Sequence, residues 1–478
     1  MVIAALPLLW VPDSIDVFIL PRACLALTGA GVLVFAGLLF GRRSLAGLRP
    51  AVAAVAVAAL LAALTSIAPS LSLVGDYGRY ESLPMRLAYL GLFCGALWLG
   101  DRENTSRGLL LGCAIVSMEA IWQALIHSPP RPDGNLGQPD LLGALLAMAI
   151  PLTADRVRRD LRWLALLPLF AAAIAVSSSR SGWLGAAVGL AVVALWRGRG
   201  RLRFAIAGGG VILVVALAAL LLLTPLRDLN QDTGSARLGI WGDAVHMIAA
   251  RPLTGWGEDT TGLVLGRFQT ANLQPGARFD RAHSLPLDLL ATQGILGLAA
   301  CTWLFALVWR RLWGRRALAG VAGAMAAYLA WALLNFDWVP VTAPLWILAG
   351  ACVPAPERRP RQAIRTWRWV AAGAALLAGL ALAVPPQIAD IAAWQSDDAL
   401  ATRLDPLQPA YWADESGLAA LRRAASLGST DPTLYLRLGN LEAGGDDVAA
   451  ARSAYEEALA IYPYDGQARA ALRRLDGT

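Results

Sequence analysis

The chain has 478 residues, 57% of them apolar and only 16% charged, with a mean hydropathy of +0.53. Soluble domains carry roughly 25% charged residues. Here the shortfall is concentrated in long apolar runs between residues 20 and 390, which excludes a soluble enzyme, a disordered chain and a disulfide-stapled secreted scaffold. The net charge is +7, and all 41 basic residues are arginine. Most of them flank apolar runs, a topology signal rather than a nucleic-acid surface.

Cys24, Cys94, Cys113, Cys301 and Cys352 lie in or beside apolar runs without a C-x-x-C pair, so neither a zinc site nor a disulfide framework is expected. The opening MVIAALPLLWV lacks a basic flank and a small-residue cleavage site, and reads as a retained first membrane segment. Runs near the 20-residue length of a spanning helix fall at about 2–19, 22–41, 51–69, 85–100, 108–127, 140–154, 163–179, 182–196, 204–224, 285–309, 317–335, 339–353 and 368–387. Pro12, Asp13 and Asp16 interrupt the first. The expected fold is all-α: a polytopic membrane bundle of 12 to 13 spans.

Arginine sets the sidedness. Alternate connections hold Arg42, Arg43, Arg49, Arg102, Arg107, Arg156, Arg158, Arg159, Arg162, Arg197, Arg199, Arg201, Arg203, Arg310, Arg311, Arg315, Arg316 and a cluster from Arg358 to Arg368. The opposite short loops are read as holding Arg22, Arg79, Arg86, Arg131 and Arg180. The richer set is cytoplasmic by the positive-inside rule, which puts the long loop 225–284 and the tail 388–478 outside. Thirteen spans place the N-terminus inside, and twelve place it outside.

The tail carries eight Arg and fourteen acidic residues and no spanning run. Its 432–463 stretch fits a tetratricopeptide pattern through Tyr435, Leu438, Gly439, Ala451, Tyr455, Ala458 and Pro463, with Glu442 where a Tyr is usual. A weaker unit precedes it from Tyr411 to Asp431-Pro432. The domains are therefore 1–387, membrane-embedded, and 388–478, a helical-repeat tail positioned to pack on the outer face or on a partner protein.

Four elements at the outer side carry chemistry. His283 stands in RFDRAHSLPLDLLATQGILG, where the long loop re-enters the membrane; a neutral imidazole there can take a proton from a hydroxyl. His127 and His246 read as interface and surface residues. Arg180 stands in SSSRSGWLG between two spans, either binding phosphate oxygens through its planar fork or snorkelling to the interface. The segment SARLGIWGDAVHMIAARPLTGWGEDT suggests an amphipathic surface helix, with Arg237 on its inner face and Arg251 capping its C-terminus before a Gly-Trp256-Gly turn. GNLGQPDLLGALLAMAIPL starts a helix at Pro139 and Asp140 with outward-facing amides. The outer-loop GDYGRYESL adds Arg79, and Arg281 lies beside His283. The loop carboxylates Asp228, Asp232, Asp243, Glu258, Asp259 and Asp280 are scattered among six arginines and form no compact metal pair.

The ordered set SSSRSGWLG, RLGIW, RPLTGWG and AHSLPLDLLATQGILGL, around one large loop, resembles the O-antigen ligase and polymerase superfamily of bacterial inner membranes. The resemblance spans roughly residues 1 to 387. It implies a polytopic glycosyltransferase of the GT-C-like type, without metal or other cofactor. Such an enzyme moves a glycan from an undecaprenyl-diphosphate carrier to an acceptor hydroxyl on lipid A core, a growing polysaccharide or a protein, at the periplasmic face. Carried over by motif, Arg180 and Arg237 fall at diphosphate-binding positions and His283 at the proposed catalytic one. Arg79, Arg251, Trp256 and Arg281 are secondary candidates. Two other readings stay open: a transporter or flippase of the lipid-linked glycan, and a non-catalytic membrane scaffold.

Overall fold

The computed structural model describes residues 1–127, 129–198, 234–273, 276–357, 366–414 and 417–477. Among them the chain is helical throughout and forms no β-strand beyond an isolated bridge between Arg43 and Glu357. The helices Ile19–Phe40, Arg49–Leu64, Leu83–Leu99, Arg102–Ile126, Pro139–Val157, Leu166–Ser177, Arg180–Arg197, Leu285–Leu312, Ala319–Ala332, Val339–Cys352 and Thr366–Trp394 follow the apolar runs. Four of them are long and apolar enough to cross a membrane by length and composition alone. The expected span 204–224 lies outside the described residues.

The expected first span over 2–19 is not formed. Only Val2–Ala5 is helical. Pro7 and Pro12 lack the amide hydrogen that a continuing helix needs, and Asp16 turns its side chain back to accept from the Phe18 and Ile19 amides. The segment packs into the bundle instead, with Ile3 and Leu6 buried. Arg22, expected in a loop, lies in the first turn of Ile19–Phe40, fully buried, and donates to the carbonyls of Leu6, Pro7 and Asn135.

Small residues set the helix packing. Gly182, in Arg180–Arg197, lies against Gly143 of Pro139–Val157 so closely that a Cβ on Gly182 would sit 2.7 Å from the Gly143 Cα. Close backbone approach of this kind is how helices associate where lipid supplies no hydrophobic drive. Leu285–Leu312 breaks at Gly294, whose φ of 65° and ψ of −164° are non-helical. The backbone of 252–254 crosses there: the Ile295 amide donates to the Pro252 carbonyl at 2.8 Å, and a Cβ on Gly294 would collide with the Leu253 carbonyl. Only glycine fits that crossing.

The tail forms helices Asp398–Leu404, Pro409–Asp414, Leu418–Ser426, Pro432–Gly444, Val448–Ile461 and Gly466–Leu475. Glu442 is buried and takes both oxygens to the Arg422 guanidinium, at 2.7 and 2.8 Å. The tail sits on the loop: Leu421, Leu434, Tyr435, Ala458 and Ile461 share one apolar cluster with Leu71, Ile240, Ala244, Met247 and Leu263 to Leu265. Thr430 donates to Asp76 at 2.7 Å and Ser70 to the Leu427 carbonyl at 2.8 Å. Asp390, fully buried near the end of Thr366–Trp394, accepts from Ser14, the Asp16 amide, Tyr77 and Tyr411. The N-terminal segment, the connection around residues 70–82 and the tail therefore meet at one end of the bundle.

Candidate active site

His283 precedes the helix Leu285–Leu312, which starts after Ser284. Its φ is +50°, a left-handed conformation uncommon for a residue with a Cβ. Two hydrogen bonds hold the flanking backbone. The Ala282 amide donates to the Asp288 carboxylate at 2.9 Å, and the Leu285 amide to the Asn335 carbonyl at 2.8 Å. Strained backbone held by its surroundings is characteristic of functional sites. The imidazole is half-buried, with its ring edge-on to Phe336 at 5.3 Å.

Arg79 converges on the same aromatics. Its guanidinium lies 4.7 Å from the centre of Phe336 and 4.3 Å from that of Trp338, and pairs with Asp280 at 2.6 Å. Burial pushes the Asp280 carboxyl up, but Arg79 and then the charge of His283 outweigh it, and the group sits below the ordinary carboxylate value. Asp280 thus stays ionised beside Arg79 and His283.

Beneath this layer is a buried ionic network. Arg86, in Leu83–Leu99, contacts Glu81 at 3.3 Å, Glu258 at 3.2 Å, and Asp337. Tyr89 donates to Glu81 at 2.6 Å. Burial raises the carboxyls of both Glu81 and Glu258 above the ordinary range; for Glu81, neighbouring Asp337 adds to the rise. Arg281 is buried in a pair with Asp259, whose second oxygen accepts from the amides of Asp76 and Glu81 at 2.7 and 3.0 Å. Segments 76–81, 258–259, 281–288 and 335–338 are therefore locked together under His283.

The other sequence candidates stand on other elements. Arg180 opens the helix Arg180–Arg197 after a left-handed Ser178. Beside it Ser179 donates to Asp140 at 2.8 Å, and Arg131 pairs with the same oxygen at 3.0 Å. Arg237 is half-buried on the helix Gly234–Ala250, whose inner face presents Ala236, Ile240, Asp243, Ala244 and Met247. That face packs on the loop and tail, not on an apolar medium. Arg251 does not cap this helix: its guanidinium stacks on Trp256 at 4.4 Å, and Trp256 donates to the Met247 carbonyl at 2.9 Å. His127 and His246 are exposed.

Sequence reasoning missed the network. Arg86 was expected in a loop but lies inside a helix, and three of the loop carboxylates, Glu258, Asp259 and Asp280, each meet an arginine; Asp228 and Asp232 lie outside the described residues. The available signal was Asp337 between Phe336 and Trp338, an acidic residue in a short connector of two apolar runs, which is a functional marker by default. Among the described residues no cluster of three or more His, Cys, Asp or Glu side chains is arranged to hold a metal ion.

Residues 164–301 match a family model described as O-antigen ligase. Over this segment the chain is similar to the O-antigen ligase family. It contains Arg180, Arg237, Arg251, Trp256, Arg281 and His283, and lies within the superfamily expected from the sequence motifs. No curated protein matches the chain. The O-antigen ligase segment and the apolar helices together support a multi-pass membrane protein with a ligase-like role in glycan transfer.

Proposed function

We propose that this protein transfers a glycan from an undecaprenyl-diphosphate carrier to an acceptor hydroxyl at the periplasmic end of the bundle, the end that bears the loop and tail. The observation that carries the reading is His283: it lies within the family-matched segment, in strained backbone, beside Asp280 and the Arg79 guanidinium. The neutral imidazole takes the proton of the acceptor hydroxyl while that oxygen attacks the anomeric carbon. The glycosidic C–O bond breaks, and its electron pair leaves with the diphosphate. Attack opposite the leaving group inverts the anomeric centre. Asp280 stabilises the imidazolium formed by the proton transfer.

Arg180 and Arg237 hold the diphosphate, whose negative charge grows as the bond breaks. Fixed guanidinium groups in a partly dry site stabilise that charge without reorganising, so no metal is required. The buried network under His283 keeps the four contributing segments in register. The acceptor is a lipid, a polysaccharide end or a protein hydroxyl, and the tail is placed to recruit a long acceptor or a partner protein.

The test uses full-length protein in detergent with a lipid-diphosphate-linked glycan and a hydroxyl acceptor, assayed with and without chelator. Transfer that survives chelation and is lost in Arg180→Ala and Arg237→Ala is expected. Transfer that needs added metal, or that proceeds at the normal rate in both variants, contradicts the assignment.

A further inference from the structure

A separate cavity of about 220 Å³ opens where the ends of Ile19–Phe40 and Thr366–Trp394 meet the outer loop and the tail. The spans contribute apolar lining from Leu20, Leu27, Met85 and Leu382; the loop and tail contribute Tyr80, Ser82, Asp405, Gln408 and Tyr411 together with Leu73, Val74 and Leu404. The lining is thus apolar along the spans and mixed toward the tail, which suits a lipid whose head faces the tail.

The side toward the tail places acceptors beside the hydroxyls of Tyr80, Ser82 and Tyr411. Gln408 is 1% exposed; its amide nitrogen donates to the Gly75 carbonyl at 3.3 Å, which fixes the amide orientation, and its Oε1 has no donor. Asp405 adds a buried carboxyl. Pro385 and Pro386 lie inside Thr366–Trp394. Lacking amide hydrogens, they leave the carbonyls four residues earlier without their helical donors; those carbonyls belong to Ala381 and Leu382, and both residues line the cavity. In an apolar surrounding, acceptors of this kind need a donor from elsewhere. No arginine lines the cavity among the described residues, so a bare phosphate would meet Asp405 uncompensated.

We propose that this cavity binds one membrane phospholipid through a primary ammonium headgroup, its chain lying along Leu20, Leu27 and Leu382. A primary ammonium brings three donors and a positive charge to a site that offers acceptors and one carboxylate. A trimethylated ammonium brings the charge and none of the donors. The inference rests on no part of the transfer reading, and its readout is independent of transfer.

Full-length protein purified in neutral detergent is exchanged into phosphatidylethanolamine or phosphatidylcholine with identical chains, delipidated stepwise, and examined by native mass spectrometry. One phosphatidylethanolamine per chain is expected to persist, with phosphatidylcholine held about tenfold less well, the value of one charge-assisted hydrogen bond. Ala381 is exposed, so Ala381→Trp blocks the mouth without disturbing the core. That variant and Asp405→Asn are each expected to lower retention of phosphatidylethanolamine about tenfold while the protein stays monodisperse. Equal retention of the two lipids by the unaltered protein, preferential retention of phosphatidylglycerol, or unchanged retention in both variants overturns the proposal. The lipid comparison needs no substitution, so a variant that fails to fold does not remove the test.

Discussion

The two ends of the bundle use charge in opposite ways. At the end away from the tail, ion pairs are small and mostly reach solvent: Arg156 and Arg107 both meet Glu103, at 2.7 and 2.9 Å, Arg197 meets the buried Asp155, and Arg43 and Arg311 reach the backbone carbonyls of Ala351 and Pro354. At the loop end, Glu81, Glu258, Asp259, Asp280, Asp288 and Asp337 outnumber Arg79, Arg86 and Arg281, and most of these groups are buried. Charges near solvent orient the chain in a membrane at little structural cost. Charges taken out of solvent cost several kcal/mol each unless partnered, so the loop end holds a network that only a specific arrangement of four segments satisfies.

The contrast can be sharpened by substitution. The largest effect is expected from His283→Ala, which should slow transfer by about 10²–10⁴-fold, the usual contribution of a general base, while His246→Ala leaves the rate unchanged. Persistence of the normal rate in His283→Ala would remove the imidazole from the reaction. Next, Arg86→Met strands three buried carboxyls and should destabilise the folded protein by about 3–5 kcal/mol. Thermal unfolding in detergent reads this out, and a shift no larger than that of a surface variant would mean the network is solvated.

A smaller effect concerns Asp405, whose carboxyl burial raises to about 6. The folded protein therefore binds this proton more tightly than the unfolded chain, and stability contributed at low pH is lost as pH rises from about 4 through about 6. Asp405→Asn should gain on the unaltered protein over that interval by at most about 3 kcal/mol and run parallel to it above about pH 7. Cys24 and Tyr411 feel the Asp405 charge but stay protonated over this interval in both proteins, and Tyr80, Asp16 and Asp390 are common to both. A pH-independent difference would place Asp405 in solvent. The smallest effect belongs to the opposite end: Arg156→Met should cost about 0.2–1 kcal/mol, since Glu103 is 47% exposed. A loss as large as that of Arg86→Met would erase the distinction between the two ends.

Most helices were legible because apolar length and arginine placement are one-dimensional signals. The run 339–353 became Val339–Cys352 and the run 182–196 became Arg180–Arg197. The first run failed because apolar composition outweighed two prolines and an aspartate whose effect is local. His283 was legible as a titratable residue at a membrane re-entry point. Its companions were not, because Arg79 and Asp280 are 201 positions apart and Arg86 and Asp337 are 251 apart. Pairings over such separations leave no periodic trace; only the isolated Asp337, flanked by aromatics, hinted at them.

The Asp390 junction has a consequence for how the molecule comes into being. Ser14 and Asp390 are separated by 376 positions, and Tyr77 and Asp390 by 313. At ribosomal speeds of about 5–20 residues per second, the first of these groups waits on the order of half a minute for its partner. Until residue 390 has emerged, the polar groups at the start of the chain have no native acceptor, so the earliest-made part of the protein is among the last to reach its final form.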